Sequence, residues 1–207
     1  IEAITKKKMD NISIIPCCAD FKHFKFIEKN ERKIIRNKLN IKNGSMVLSY
    51  LGSLGTFYLW EEMLSFFIRL NQKFPESYFL VITRNWDKSK QKYLESITNK
   101  NVIKKIIFKS ANRNEVPKLL GISDVMLSFR KNSFSQKACS PTKMGEAFAC
   151  GVPVIANRDV GDVNRIIKEL EGGAIINLQS YKDIKGVIKN IKNIKNKGGL
   201  ELREKAK

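Results

Sequence analysis

Six short apolar, β-prone runs recur along this chain, and stretches of helical character separate them. The runs are Met46–Leu51, Tyr78–Ile82, Ile106–Phe108, Val125–Phe129, Val152–Ala156 and Ala174–Ile176. Leu59–Leu70 sets Leu59, Met63, Phe66, Phe67 and Leu70 on one helical face. Asp87 can cap a polar helix reaching about Ile97, and Asn112 or Asn114 a short one near Val116–Leu120 with Pro117 in its first turn. Ser140-Pro141-Thr142 opens a helix that runs to Ala149 and stops at Gly151, with Ser140 as N-cap and Pro141 as first helical residue. Asp162–Leu170, an amphipathic Tyr181–Ile194 and the start of a helix at Leu200–Lys207 follow. Near-continuous apolar strands joined by single helices are buried on both faces and lie parallel. The expected fold is therefore α/β: a doubly wound, Rossmann-like parallel six-stranded sheet with helices on both faces. In such a sheet a ligand sits beyond the carboxyl ends of the strands, where the strand order reverses. The loops after strands one to four are the places to look.

Two of those loops carry chemistry. Gly52-Ser53-Leu54-Gly55-Thr56 follows the first strand directly, and its glycines let backbone amides approach a ligand. A ligand-free tight turn would use the same glycines, and the dinucleotide fingerprint G-x-G-x-x-G is absent. The second loop leads into Ser140-Pro141-Thr142-Lys143-Met144-Gly145-Glu146. The free amides of that first helical turn form an anion site, and Lys137 and Lys143 add positive charge. Glu146 could accept hydrogen bonds from two adjacent ribose hydroxyls. The alternative is an ordinary i, i+3 ion pair between Lys143 and Glu146. The small residues Gly145, Ala147 and Ala149 favour close packing of this helix on the sheet, which argues against a merely solvated Glu146. Arg84 follows the second strand and should face the same cleft unless it is simply a solvent-exposed loop residue.

Net charge is +19, from 39 Lys and Arg against 20 Asp and Glu. That balance attracts anionic partners: nucleic acid, an anionic membrane face or a phosphate-bearing substrate. Lys, Ile and Asn are overused throughout, so general compositional bias accounts for much of the charge. Cys17, Cys18, Cys139, Cys150 and the single His23 lack zinc-site spacing. Free thiols in a reducing compartment are expected, hence a cytoplasmic protein, with the basic surface able to approach the inner face of a membrane. His23 reads as a surface or interdomain residue. No apolar run is long enough to span a bilayer, and no signal peptide is visible. The chain begins at Ile1, and Ile12–Pro16 reads as a strand with nothing before it to pair with. This implies a preceding partner domain absent from the sequence.

The segment Ser140–Ile155 resembles the C-terminal domain of GT-B glycosyltransferases, specifically glycosyltransferase family 4. Gly52-Ser53-Leu54-Gly55-Thr56-Phe57-Tyr58, with Trp60 and Glu62-Met63-Leu64, is similar to a subgroup from bacterial surface-polysaccharide synthesis. Ile14–Asp20 and Phe24 resemble that family's interdomain linker, and Gly161-Asp162 after strand five also fits. The resemblance covers nearly all of Ile12–Lys207. It implies one half of a GT-B fold: a linker leading into the domain over residues 1–24, a nucleotide-sugar-binding domain over 25–195, and a truncated C-terminal helix over 196–207. It further implies a nucleoside-diphosphate sugar as donor, uridine-linked by expectation, retention of anomeric configuration, and neither a cofactor nor an obligatory metal. The family's first acid, eight positions before Glu146, falls on Ala138 and is missing. The Arg and Lys that many members carry on the first loop fall on Ser53 and Tyr58, so both charges are lost. Lys137, Lys143 and Arg84 could replace them.

The expected binding set is then Gly52, Ser53, Gly55, Thr56, Ser140, Thr142, Lys143, Lys137, Glu146 and Arg84, with backbone near Phe108–Ser110 meeting the base. No catalytic residue is assigned within this chain. A missing N-terminal domain would bring the acceptor. Two other readings compete. One is a degenerate, non-catalytic binding module, supported by the lost acid and bases. The other is a basic nucleic-acid binder, which lacks any helix-turn-helix or RNA-recognition signature.

Overall fold

The computed structural model describes residues 17–54, 57–84, 94, 97 and 99–207. Six strands form one sheet: β1 (Val47–Leu51), β2 (Tyr78–Ile82), β3 (Ile106–Lys109), β4 (Val125–Ser128), β5 (Val154–Asn157) and β6 (Gly173–Ile176). Their order is β3-β2-β1-β4-β5-β6, and every pairing is parallel. The chain builds outward from β1 to β3 and then returns to the other side of β1. The order therefore reverses between β1 and β4, as in doubly wound sheets.

The helices among the described residues are α1 (Lys29–Lys38), α2 (Trp60–Lys73), α3 (Lys100–Ile103), α4 (Val116–Gly121), α5 (Phe134–Lys137), α6 (Thr142–Ala149), α7 (Val163–Glu169), α8 (Tyr181–Lys189), α9 (Ile191–Asn196) and α10 (Leu200–Lys205). Side chains alternate along each strand and make two cores. Val47, Leu51, Leu80, Ile82 and Met126 face α4, α6, α7 and α10. Leu48, Tyr50, Phe79, Val81 and Leu127 face α2, α8 and α9. On the second face Phe67 and Trp60 stack against Phe79, with centroids 5.4 and 5.9 Å apart.

The expected strands and most of the helices are present, with small shifts at their ends. The polar helix expected from Asp87, like the strand at Ile12–Pro16, lies outside the described residues. Three features differ from the sequence reading. Helix α1 was not anticipated, because its ten residues, KNERKIIRNK, show no apolar stripe. Ile35 and Leu39 pack on the core, and charge supplies the rest of the hold. Buried Asp124 takes Arg32 at 2.7 Å, Arg36 at 3.0 Å and the Val47 amide at 2.7 Å. Lys195 of α9 adds a fourth contact at 3.0 Å. Burial raises the Asp124 pKa, but Arg36, Arg32 and Lys195 outweigh it, and the carboxyl titrates below its usual range.

Second, the helix expected over Tyr181–Ile194 breaks at Asn190 into α8 and α9. Ile188, Ile191 and Ile194 recur every three residues, so on one straight helix of 3.6 residues per turn they would drift off the sheet. The break restores their phase, and all three are buried. Third, Ser140 is not the N-cap of α6; Pro141 occupies that position and the helix begins at Thr142. The Ser140 hydroxyl instead donates to Asp162 at 2.9 Å and accepts from the Cys17 amide at 3.4 Å, which ties the incoming segment to the loop before α6. Asn112, by contrast, does cap the turn before α4: its side chain accepts from the Glu115 amide, and Glu115 accepts from the Asn112 amide in return.

Candidate functional site

A cleft of about 490 Å³ opens at the carboxyl ends of β1 and β2, beside the reversal point. Its walls are the turn after β1 (Gly52, Ser53), the residues after β2 (Thr83, Arg84), the segment after β3 (Ala111, Arg113) and Val116, and the start of α6 (Lys143, Glu146), with Phe24 from the incoming segment.

The β1 turn is set by local geometry. Gly52 has φ of +153°, and a Cβ there would come within 2.8 Å of the Tyr50 hydroxyl. That hydroxyl donates to the Ser53 carbonyl at 2.6 Å and pins the turn. Desolvation raises the Tyr50 pKa, with Tyr58 adding to the rise, so the phenol stays protonated as a donor. The same loop is zipped to the one after β4. Leu59 donates to the Phe129 carbonyl at 3.1 Å and Lys131 to the Phe57 carbonyl at 2.8 Å. Arg130 lies over the Tyr58 ring at 4.8 Å.

Helix α6 delivers the acidic residue. Ala147 and Ala149 are fully buried against the sheet, while at Gly145 an added Cβ would sit 3.4 Å from Ala19 of the incoming segment. This close packing leaves Glu146 only 3% exposed, at the floor of the cleft. Lys143 holds both of its carboxylate oxygens, at 3.1 and 3.0 Å. The i, i+3 pair read as an alternative therefore exists, but within the cleft rather than on a solvated face. Lys143 itself keeps 40% of its side chain exposed, so it can reach a bound molecule.

The expected residues divide accordingly. Gly52, Ser53, Arg84, Lys143 and Glu146 meet in the cleft. Ser140, Thr142, Lys137 and Ser110 do not line it, and Thr142, Lys137 and Ser110 are solvent-exposed. The Phe108 side chain packs on the far face, 6.0 Å from the Trp60 ring. Gly55 and Thr56 lie outside the described residues. The sequence reading missed Arg113 and the wall made by Phe24. The Arg113 guanidinium lies over the Phe24 ring at 5.7 Å, and His23 donates from Nε2 to the Arg113 carbonyl at 2.9 Å. A usable signal was its place one residue past Asn112, in the loop following β3, which belongs to the cleft as much as Arg84 does. Among the described residues, no group of three or more His, Cys, Asp or Glu side chains is placed to share a metal ion.

A parallel sheet of this order, with a cationic cleft beside its reversal point and a buried carboxylate on a helix lining it, defines a doubly wound α/β domain with its cleft beyond the carboxyl ends of the strands. Residues 31–207 match the family of glycosyl transferases group 1, and the chain belongs to that family. Among solved structures it is similar to WaaG, a glycosyltransferase involved in lipopolysaccharide biosynthesis (TM-score 0.77, 18% identity, 99% of this chain and 54% of that one). It is also similar to Anabaena HepE, solved in complex with UDP-glucose (TM-score 0.70, 15% identity, 91% and 50%). A third is the C-terminal domain of the Francisella tularensis group 1 glycosyl transferase LpcC (TM-score 0.60, 21% identity, 91% and 92%). The chain thus spans about half of WaaG and HepE. No curated protein matches it.

Proposed function

We propose that this domain binds the donor of a two-domain, metal-independent, retaining glycosyltransferase of family 4 that transfers a sugar from a nucleoside diphosphate in surface-polysaccharide or glycolipid synthesis. The observation that carries this reading is Glu146, a carboxylate 3% exposed at the floor of a cleft that also holds Lys143, Arg84 and Arg113. A buried carboxylate suits a pair of adjacent ribose hydroxyls, and three cations around it suit a diphosphate. Backbone at Gly52 and Ser53 contributes close approach, and Ala111 and Val116 offer an apolar wall for a base. The complex of HepE with UDP-glucose supports a uridine nucleotide as the ligand.

The chemistry follows from charge. Breaking the bond between the anomeric carbon and the diphosphate leaves negative charge on the departing phosphate. Lys143, Arg84 and Arg113 are placed to stabilise that charge, and the domain holds the anomeric carbon in position for attack. The acceptor would come from a second domain, as the twofold length of the solved relatives supports.

Calorimetric titration with UDP, GDP, ADP and uridine tests the reading. UDP should bind, and more tightly than uridine. Absence of binding by every nucleoside diphosphate at millimolar concentration overturns the proposal. The chain by itself should not glycosylate an acceptor, because the reacting groups lie between two domains.

A further inference from the structure

Away from the cleft, the outer surface of α8, α9 and the second half of α2 carries charge of one sign. Between Tyr181 and Lys197 the sole carboxylate is Asp183, and it is engaged by Ser180, the Asn177 amide and Arg158. Lys182, Lys185, Lys189 and Lys192 stand exposed on these helices, and Arg69 and Lys73 stand exposed across a groove of about 400 Å³ between α2 and α8. None of these six is paired with a carboxylate among the described residues. The groove has an apolar floor at Ile184 and Ile188, and Tyr181, 60% exposed, stands at its rim.

We infer that this face docks on an anionic phospholipid bilayer. Clustered lysines meet lipid phosphates, while lysine stems and a rim tyrosine seat at the boundary between headgroups and acyl chains. Nucleic acid fits less well, because single strands need open aromatic faces to stack on. Here Arg69 occupies one face of the Tyr181 ring at 5.1 Å, and Phe74 has Lys73 and Lys192 within 5.7 and 5.8 Å. The inference stands apart from the donor reading, since none of the residues lining this groove lines the cleft.

The test is vesicle co-sedimentation of the chain with phosphatidylcholine vesicles containing or lacking 30% phosphatidylglycerol, a composition of about one anionic lipid in three. The triple variant Lys185→Gln, Lys189→Gln, Lys192→Gln is compared with a control, Lys29→Gln, Lys33→Gln, Lys38→Gln, which removes equal charge from α1. At roughly fivefold per lysine, the first should weaken binding to anionic vesicles about a hundredfold. The control should lose far less, and both should bind UDP as the parent chain does. Equal loss in both variants would mean diffuse attraction and overturn the inference. So would equal binding to neutral vesicles, or no vesicle binding by the parent chain. Tight binding of a single-stranded oligonucleotide, lost only in the first variant while vesicle binding persists, would reassign the face to nucleic acid.

Discussion

Replacing Glu146 by glutamine keeps the side chain's shape and removes its charge, which separates binding from folding. In the structure Lys143 contacts both carboxylate oxygens at 3.0–3.1 Å, and 40% of the lysine side chain is exposed. Glutamine still offers an acceptor to Lys143, whose ammonium stays partly solvated, so the change should cost only about 1 kcal/mol of stability. For a chain of this size that is a drop of roughly 2–4 °C in melting temperature. The binding effect should be larger. A hydrogen bond to a charged group contributes roughly 1.5–3 kcal/mol, so affinity should fall about 10- to 150-fold. Uridine and UDP should lose the same factor, since both carry the ribose. Lys143→Met should give the complementary pattern: UDP weakens and uridine changes little, because only the diphosphate offers the lysine a charge. Calorimetry at two salt concentrations, with thermal melts alongside, measures all of this. Unchanged affinity in Glu146→Gln together with a lower melting temperature would refute the ribose assignment and leave the pair structural.

Asp124→Asn should destabilise the fold by roughly 3–5 kcal/mol in chemical denaturation, because it strands Arg32 and Arg36 among buried neighbours. The same carboxyl sets an acid limit. Its folded pKa lies below the unfolded value, so its stabilisation is full above about pH 4 and is lost as pH falls through the folded pKa. Asp124→Asn should flatten that part of the stability–pH curve, and an unchanged slope would contradict the ion cluster's role. Gly161→Ala places a Cβ against the Cys139 carbonyl at φ of +42°, so it should cost about 1–3 kcal/mol, read by denaturation. Burial pushes the Cys150 thiol up to about 12. Iodoacetamide at pH 8 should therefore alkylate exposed Cys17 and Cys18 well before Cys150, as mass spectrometry will show.

What the residues determine alone is the layered α/β plan. Runs such as Tyr78–Ile82 and Val125–Leu127 are apolar at every position, and only a strand covered on both faces tolerates that. Gly52 and Glu146 were legible for similar reasons: a glycine directly after a strand, and an acid on a helix whose Gly145, Ala147 and Ala149 are small. What the pattern lacked was anything held by charge across long separations. Helix α1 shows no apolar period because its anchor is Asp124, on the far side of β1 in sequence. The break at Asn190 depends on how three isoleucines must meet a sheet whose position local sequence does not encode. Which cations share the cleft was likewise a tertiary decision. Arg84 and Arg113 come from two separate loops and Lys143 from the start of α6, while Lys137, close to Lys143 in sequence, does not line the cleft. Periodicity reports which face of an element is buried, whereas the partners of a long charged side chain are fixed only when distant loops are brought side by side.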